Sequence, residues 1–97
     1  MNFQWDYDKE QINISKHGID FDTAIKVFND DYRIEKFDKK HSDDEDRYIT
    51  IGMIDDIAVV LMVVYTEREE GTIIRIISAR KATNRERKMY YDCDENF

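Results

Sequence analysis

Residues Arg47 to Lys81 read RYITIGMIDDIAVVLMVVYTEREEGTIIRIISARK, and this stretch decides the fold. Ile49, Ile51 and Met53 alternate with Tyr48, Thr50 and Gly52, the period of two that puts one side of a strand in a core. The Asp55-Asp56 pair is suited to a tight reversal. The unbroken apolar run Ile57 to Tyr65 then reads as a strand covered on both faces, and so as the centre of a sheet. Glu67 to Gly71 makes the next turn. Thr72 to Ala79 returns as a β-branched strand, with Arg75 facing opposite to Ile74 and Ile76.

Working outward, Thr83 and Glu86 have the spacing of a capping box, which starts a helix at Asn84 and carries it to about Asp92 before an acidic tail. Upstream, Tyr32 to Phe37 alternates as a strand, and the acidic stretch Asp38 to Asp46 reads as a solvated loop. Asp20 caps a helix in which Phe21, Ala24, Ile25 and Phe28 form an apolar stripe, with Ile19 and Ala24 as a hydrophobic staple. Asp6 or Asp8 caps an earlier helix through Lys16, which Gly18 ends in the left-handed conformation. Phe3-Gln4-Trp5 reads as a short edge strand or arm. The expectation is one α+β domain over residues 1–97: two N-terminal helices, a four-stranded, largely antiparallel sheet with helices on one side, and a C-terminal helix.

The chain has 97 residues, 41% of them apolar, and a net charge of -7. The longest apolar run is too short for a membrane span, which needs about twenty residues. With no basic segment leading into an apolar core at the N-terminus, a cytoplasmic address is expected. Cys93 is the only cysteine, which excludes an internal disulfide and a thiolate zinc cluster. A uniform negative charge would repel nucleic acid, but the charge is uneven. Between Arg75 and Lys88 stand Arg75, Arg80, Lys81, Arg85, Arg87 and Lys88 against Glu86 alone. Cations around a helix N-terminus oppose its dipole, so a bound phosphate or carboxylate would reward them; a solvated basic face is the plain alternative.

Arg68 or Arg80 could contact a phosphate bidentately; the plain alternative for Arg68 is an exposed turn charge beside Glu67, Glu69 and Glu70. Hairpin geometry sets the two at opposite ends of neighbouring strands, so their meeting would require sheet twist and long side chains. His17 ends the first helix and is either an acid or base for proton transfer near neutral pH or a cap on free carbonyls. His41 with Asp43, Asp44 and Asp46 matches no specific metal spacing, and an acidic solvated loop is the better reading.

Phe3-x-Trp5-Asp6, Lys16-His17-Gly18-Ile19-x-Phe21, Ala24-x-x-Val27-Phe28-x-Asp30, Val64-Tyr65-Thr66-Glu67-Arg68 and the run from Arg75 to Arg87 occur in an order that resembles the BrnT toxins. The resemblance implies a RelE-like fold, RNA cleavage with neither metal nor other cofactor, and a complex with a BrnA-like antitoxin. That partner would carry a ribbon-helix-helix part and hold operator DNA, which this chain would meet only indirectly. Cleavage of this kind needs a proton taken from the 2′-hydroxyl, one given to the 5′-oxygen, and stabilised phosphoryl charge. Under the resemblance, Arg68 and Arg80 hold the phosphate, His17 or Glu67 is the base, and His17 or Tyr65 the acid. Lys16, Tyr65, Lys81, Arg85 and Arg87 contact substrate. Two features depart from the family: Asp22 where Glu is frequent, and the acidic total. A non-catalytic module that docks an acidic partner is the competing reading, and a metal-dependent nuclease at His41 a third.

Overall fold

The computed structural model describes residues 1–42, 45–54 and 57–97. Strand β1 (Asn2–Trp5) leads into α1 (Tyr7–His17), α2 (Phe21–Ala24) and a 3-10 segment (Ile25–Asn29). Then come β2 (Ile34–Phe37), a short 3-10 turn (Lys39–His41), β3 (Arg47–Ile54), β4 (Val59–Arg68), β5 (Ile73–Lys81) and α3 (Asn84–Tyr91). The sheet has five strands in the order β1-β5-β4-β3-β2, with β4 at its centre. The architecture is mixed α+β with three helices. The Asp55-Asp56 reversal expected from sequence lies outside the described residues, as do Asp43 and Asp44.

Two expectations change. The sheet gains a fifth strand because Asn2–Trp5 pairs in parallel with β5, Phe3 opposite Ile74 and Trp5 opposite Ile76. Phe3-Gln4-Trp5 by itself reads as a short edge strand or arm, outside the count of four, because a pairing that spans the whole chain shows no partner locally. The helices also occupy both faces rather than one. Along β4, Leu61, Val63 and Tyr65 enter one core with Phe21, Ala24 and Val27, whereas Val60 and Met62 enter a second with Ile34, Ile51 and the α3 residues Met89 and Tyr90. An apolar run with both sides to bury requires cover on both.

Local chemistry places the caps as expected. The Asp6 carboxylate accepts from Lys9 N and that of Asp20 from Thr23 N, and Gly18 ends α1 at φ 71. The expected second helix tightens after a single α-turn. Its buried residues, Phe21, Ala24 and Val27, recur every three positions, the period of a 3-10 helix. Gly52 lets this segment lie close on β3, since a Cβ there would stand 2.7 Å from Val27 Cγ1.

Side chains cover the sheet where its edge strands stop. Beyond the end of β1, the Asn13 amide donates to Ala79 O at 2.8 Å and accepts from Ala79 N at 3.1 Å, in the manner of one more strand residue. Before the start of β2, the Asp30 carboxylate accepts from Met53 N at 2.8 Å and from the Tyr90 hydroxyl at 2.5 Å. Paired edges resist association with other strands. Burial raises the Asp30 pKa, but the bonds from Met53 N, Tyr90 and Tyr32 N, with the charge of Arg33, outweigh it and hold the carboxyl below its ordinary value.

Candidate nucleic-acid interface

Residues directly opposite one another in a sheet share a face. On β4 the even positions from Val60 to Arg68 look toward α3 and the odd ones toward α1 and α2, as the two cores require. Ile73 lies opposite Arg68, and Arg80 opposite Met62, so both arginines stand on the α3 side. Lys36 joins them, being opposite Ile49, itself opposite Val64. A bulge makes this possible. Ser78 pairs with Val64 and Ile76 with Tyr65, which leaves Ile77 as an extra residue that reverses the alternation in β5.

Helix α3 covers only the Val60 end of this face. Between its first turns and the sheet is a hollow of about 250 Å³, whose lining includes Lys36, Ile49, Arg80, Arg85 and Phe97. Arg80 donates through both terminal nitrogens to Glu86, at 2.7 and 2.9 Å. Glu86 also accepts from Thr83 N at 2.8 Å and completes the expected capping box. Burial raises the Glu86 pKa, yet the Arg80 bond and the Thr83 N–H outweigh it, so the carboxyl is held below its usual range. Arg80 thereby ties α3 to β5 and keeps about a third of its side chain, 33%, exposed. Lys36 Nζ donates to Phe97 O and lies 4.7 Å over the Phe97 ring.

Arg68 and Arg80 do not meet. Six positions along β4 separate them, about 20 Å at the usual rise per residue. Arg68 makes a 3.2 Å pair with Glu45, both side chains nearly half exposed. A pair of that kind contributes little to stability.

The other nominated residues divide by location. Glu67 is exposed on the side of the sheet away from Arg68. Tyr65, expected to touch substrate, is 1% exposed and packed between Tyr48 and Phe28. Burial, then the hydrogen bond to Glu35 and its charge, push the Tyr65 hydroxyl far above the ordinary tyrosine range against the pull of Arg33. Its place is in the core because β4 alternates, and Tyr65 shares the side of Leu61 and Val63 that packs against α2 and the 3-10 segment. Lys16 and His17 line a separate hollow of about 180 Å³ with Asn13, Ile77 and Ser78, where the β5 edge extends past β1. Ser78 connects that hollow to the α3-side face, which it shares with Arg80. Lys81 and Arg87 are exposed and outside the α3 hollow. His41 Nδ1 lies 3.0 Å from Asp38 Oδ2.

Sequence reasoning missed Lys36 and assigned Glu86 a capping role only. Lys36 falls in a strand whose own pattern does not say which side faces which helix. Glu86 was legible as a cap, but its clasp on Arg80 depends on how α3 returns over the sheet.

The molecule is a small α+β fold whose partly open α3-side sheet face bears arginines and a lysine. The chain is a member of the BrnT family, described as the ribonuclease toxin, BrnT, of type II toxin-antitoxin systems, whose family model matches residues 5–86. A search of the curated proteins found no match. Membership makes this a ribonuclease toxin of a type II system, with RNA as substrate and an antitoxin as partner. No described helix is long and apolar enough to cross a membrane.

Proposed function

We propose that this chain is a cytoplasmic, metal-independent endoribonuclease whose RNA lies along the α3 side of the sheet, and that a BrnA-like ribbon-helix-helix antitoxin neutralises it. The observation that carries the reading is the gathering of Arg68, Arg80, Lys36 and Arg85 on one sheet face and its bordering helix in a chain of net charge -7. Arg68 and Arg80 stand too far apart to clasp one phosphate, so each contacts a different phosphate of the same strand. His17 is the group we assign to proton transfer, because its hollow shares Ser78 with that face while Glu67 points away. His17 accepts the 2′-hydroxyl proton, the 2′-oxygen attacks phosphorus, and the 5′-oxygen leaves and takes a proton from solvent. The arginines stabilise the charge that builds on the phosphoryl oxygens. Operator DNA is held by the antitoxin, and the acidity of this chain suits that division.

Expression without the antitoxin should arrest growth, and purified protein should cut RNA in EDTA. Arg68→Ala should slow cleavage about a hundredfold or more. If Arg68→Ala and Arg80→Ala both stay fully toxic, the site assignment fails, and loss of cleavage in EDTA would establish a metal-dependent reaction instead. One observation favours the binding-module reading: the Arg80 fork is already occupied by Glu86. That reading predicts an antitoxin complex without RNA cleavage.

A further inference from the structure

Beyond the reach of α3, the same sheet face carries a second arrangement, in which Arg75 is the one member of the cationic run singled out from sequence. Thr66 of β4 is fully buried, and among the described residues its Oγ1 is the buried side-chain polar atom with no hydrogen-bond partner. Its direct cross-strand neighbours are Arg47 on β3 and Arg75 on β5. Gln4 of β1 is next in the row, opposite Arg75. Strands lie about 4.8 Å apart, so the two arginine backbones stand roughly 10 Å apart with the Thr66 hydroxyl midway between them. Arginine is long enough for both guanidinium groups to close over that hydroxyl.

Arg33 is matched by Glu35, Arg68 by Glu45 and Arg80 by Glu86. Among the described residues no carboxylate forms an ion pair with Arg47 or Arg75, although both are half-buried. Among the described residues Arg85 and Arg87, both exposed on α3, also make no ion pair, so it is the half-burial of Arg47 and Arg75 that sets them apart. Two half-buried arginines without an ion pair thus flank, in one cross-strand row, a buried hydroxyl without an acceptor. Buried polar groups are almost always satisfied, and an exception calls for a reason.

We infer that Arg47, Thr66 and Arg75 form a seat for one phosphodiester of single-stranded RNA, distinct from the contacts at Arg80. A tetrahedral phosphate has two non-bridging oxygens for the two guanidinium groups and lone pairs left for the hydroxyl. Arg68, two positions along β4 from Thr66, borders the seat and contacts the adjoining nucleotide. The seat gives the RNA a register on the face, since a strand anchored here runs along β4 toward Ser78 and Arg80. This inference rests on the ribonuclease reading for its choice of ligand.

The test is binding of a short fluorescent RNA with every 2′-hydroxyl methylated, so that it cannot be cut, measured by anisotropy over a series of salt concentrations. Arg47→Gln and Arg75→Gln should each weaken binding roughly tenfold and lower the slope of log affinity against log salt by about 0.7, the value for one phosphate contact on a single strand. Arg47→Lys and Arg75→Lys should restore the slope but not the affinity, because lysine keeps the charge and loses the fork. Thr66→Val should weaken binding severalfold without lowering Tm, since it removes a hydroxyl that has no partner. A wild-type chain that cuts ordinary RNA, beside an Arg47→Gln/Arg75→Gln variant that binds and cuts equally well with the same salt slope, overturns the seat and leaves the ribonuclease reading standing. Wild-type protein that binds the methylated strand through these residues yet cuts no RNA overturns the activity and leaves the seat. Binding of polyglutamate but not RNA would show a protein-docking patch and overturn the seat.

Discussion

The two faces of the sheet use one strand in opposite ways. Toward α1 and α2, β4 presents Leu61, Val63 and Tyr65 to a closed apolar core, and no arginine of β4 or β5 enters it. Toward α3, the same strand presents Val60 and Met62 to a smaller cluster and then a buried Thr66 and an exposed Arg68 to a face rich in cations. One side is a closed apolar core, and the other keeps the cationic surface on which we propose that RNA lies. A protein of this size cannot bury both sides of a sheet fully with one short helix on the second. The uncovered remainder is where charge costs least to place.

Three substitutions separate the faces further. Phe21→Ala, at the centre of the closed core, should have the largest effect, a loss of about 3–5 kcal/mol seen as a lower urea midpoint at unchanged slope. A smaller loss would mean that the first face is less tightly packed than its complete burial implies.

Asp30→Asn comes next, because the carboxylate links the 3-10 segment, the β3 edge and Tyr90 of α3 and so spans both faces. The expected cost is about 1–3 kcal/mol at neutral pH. Its folded pKa lies below the ordinary value, so its contribution is present above the unfolded carboxylate pKa near 4 and is lost as pH falls through the lower, folded value. Stability of Asp30→Asn, followed by urea melts from neutral to strongly acidic pH, should therefore vary less with pH below about 4 than that of the wild type. Equal acid sensitivity in the two proteins would assign the acid limb to other carboxylates, with Glu86 the next to examine.

Glu67→Gln should do least. The residue is exposed and faces away from Arg68, so a stability change within about 0.5 kcal/mol is expected and cleavage should be unaltered. A large fall in cleavage would return Glu67 to the site and require RNA to reach around the end of β4.

Much of this architecture was legible along the chain because it is written in local chemistry. Asp6, Asp20 and Thr83 announce helix starts through side chains that bond nearby N–H groups, and Gly18 announces a stop through its positive φ. The apolar run in β4 announced a central strand. The cationic cluster was visible as composition, but its members were not sortable by face. Tyr65 looked like a site residue beside Glu67 and Arg68 because sequence adjacency hides the alternation that sends its neighbours to opposite sides. Arg47 lay far from the basic run and attracted no notice, although the sheet sets it one strand away from Thr66.

What the chain's own order determined, then, was which segments are helix or strand, where most of them begin, and that β4 must be covered twice. Tertiary structure decided which cations share a surface. Arg75 and Arg80 are an odd number of positions apart, and strict alternation would put them on opposite faces. The extra residue at Ile77 returns them to the same one. Register and bulges arise from pairing between distant strands, so the side on which a charge emerges is settled only when those strands meet.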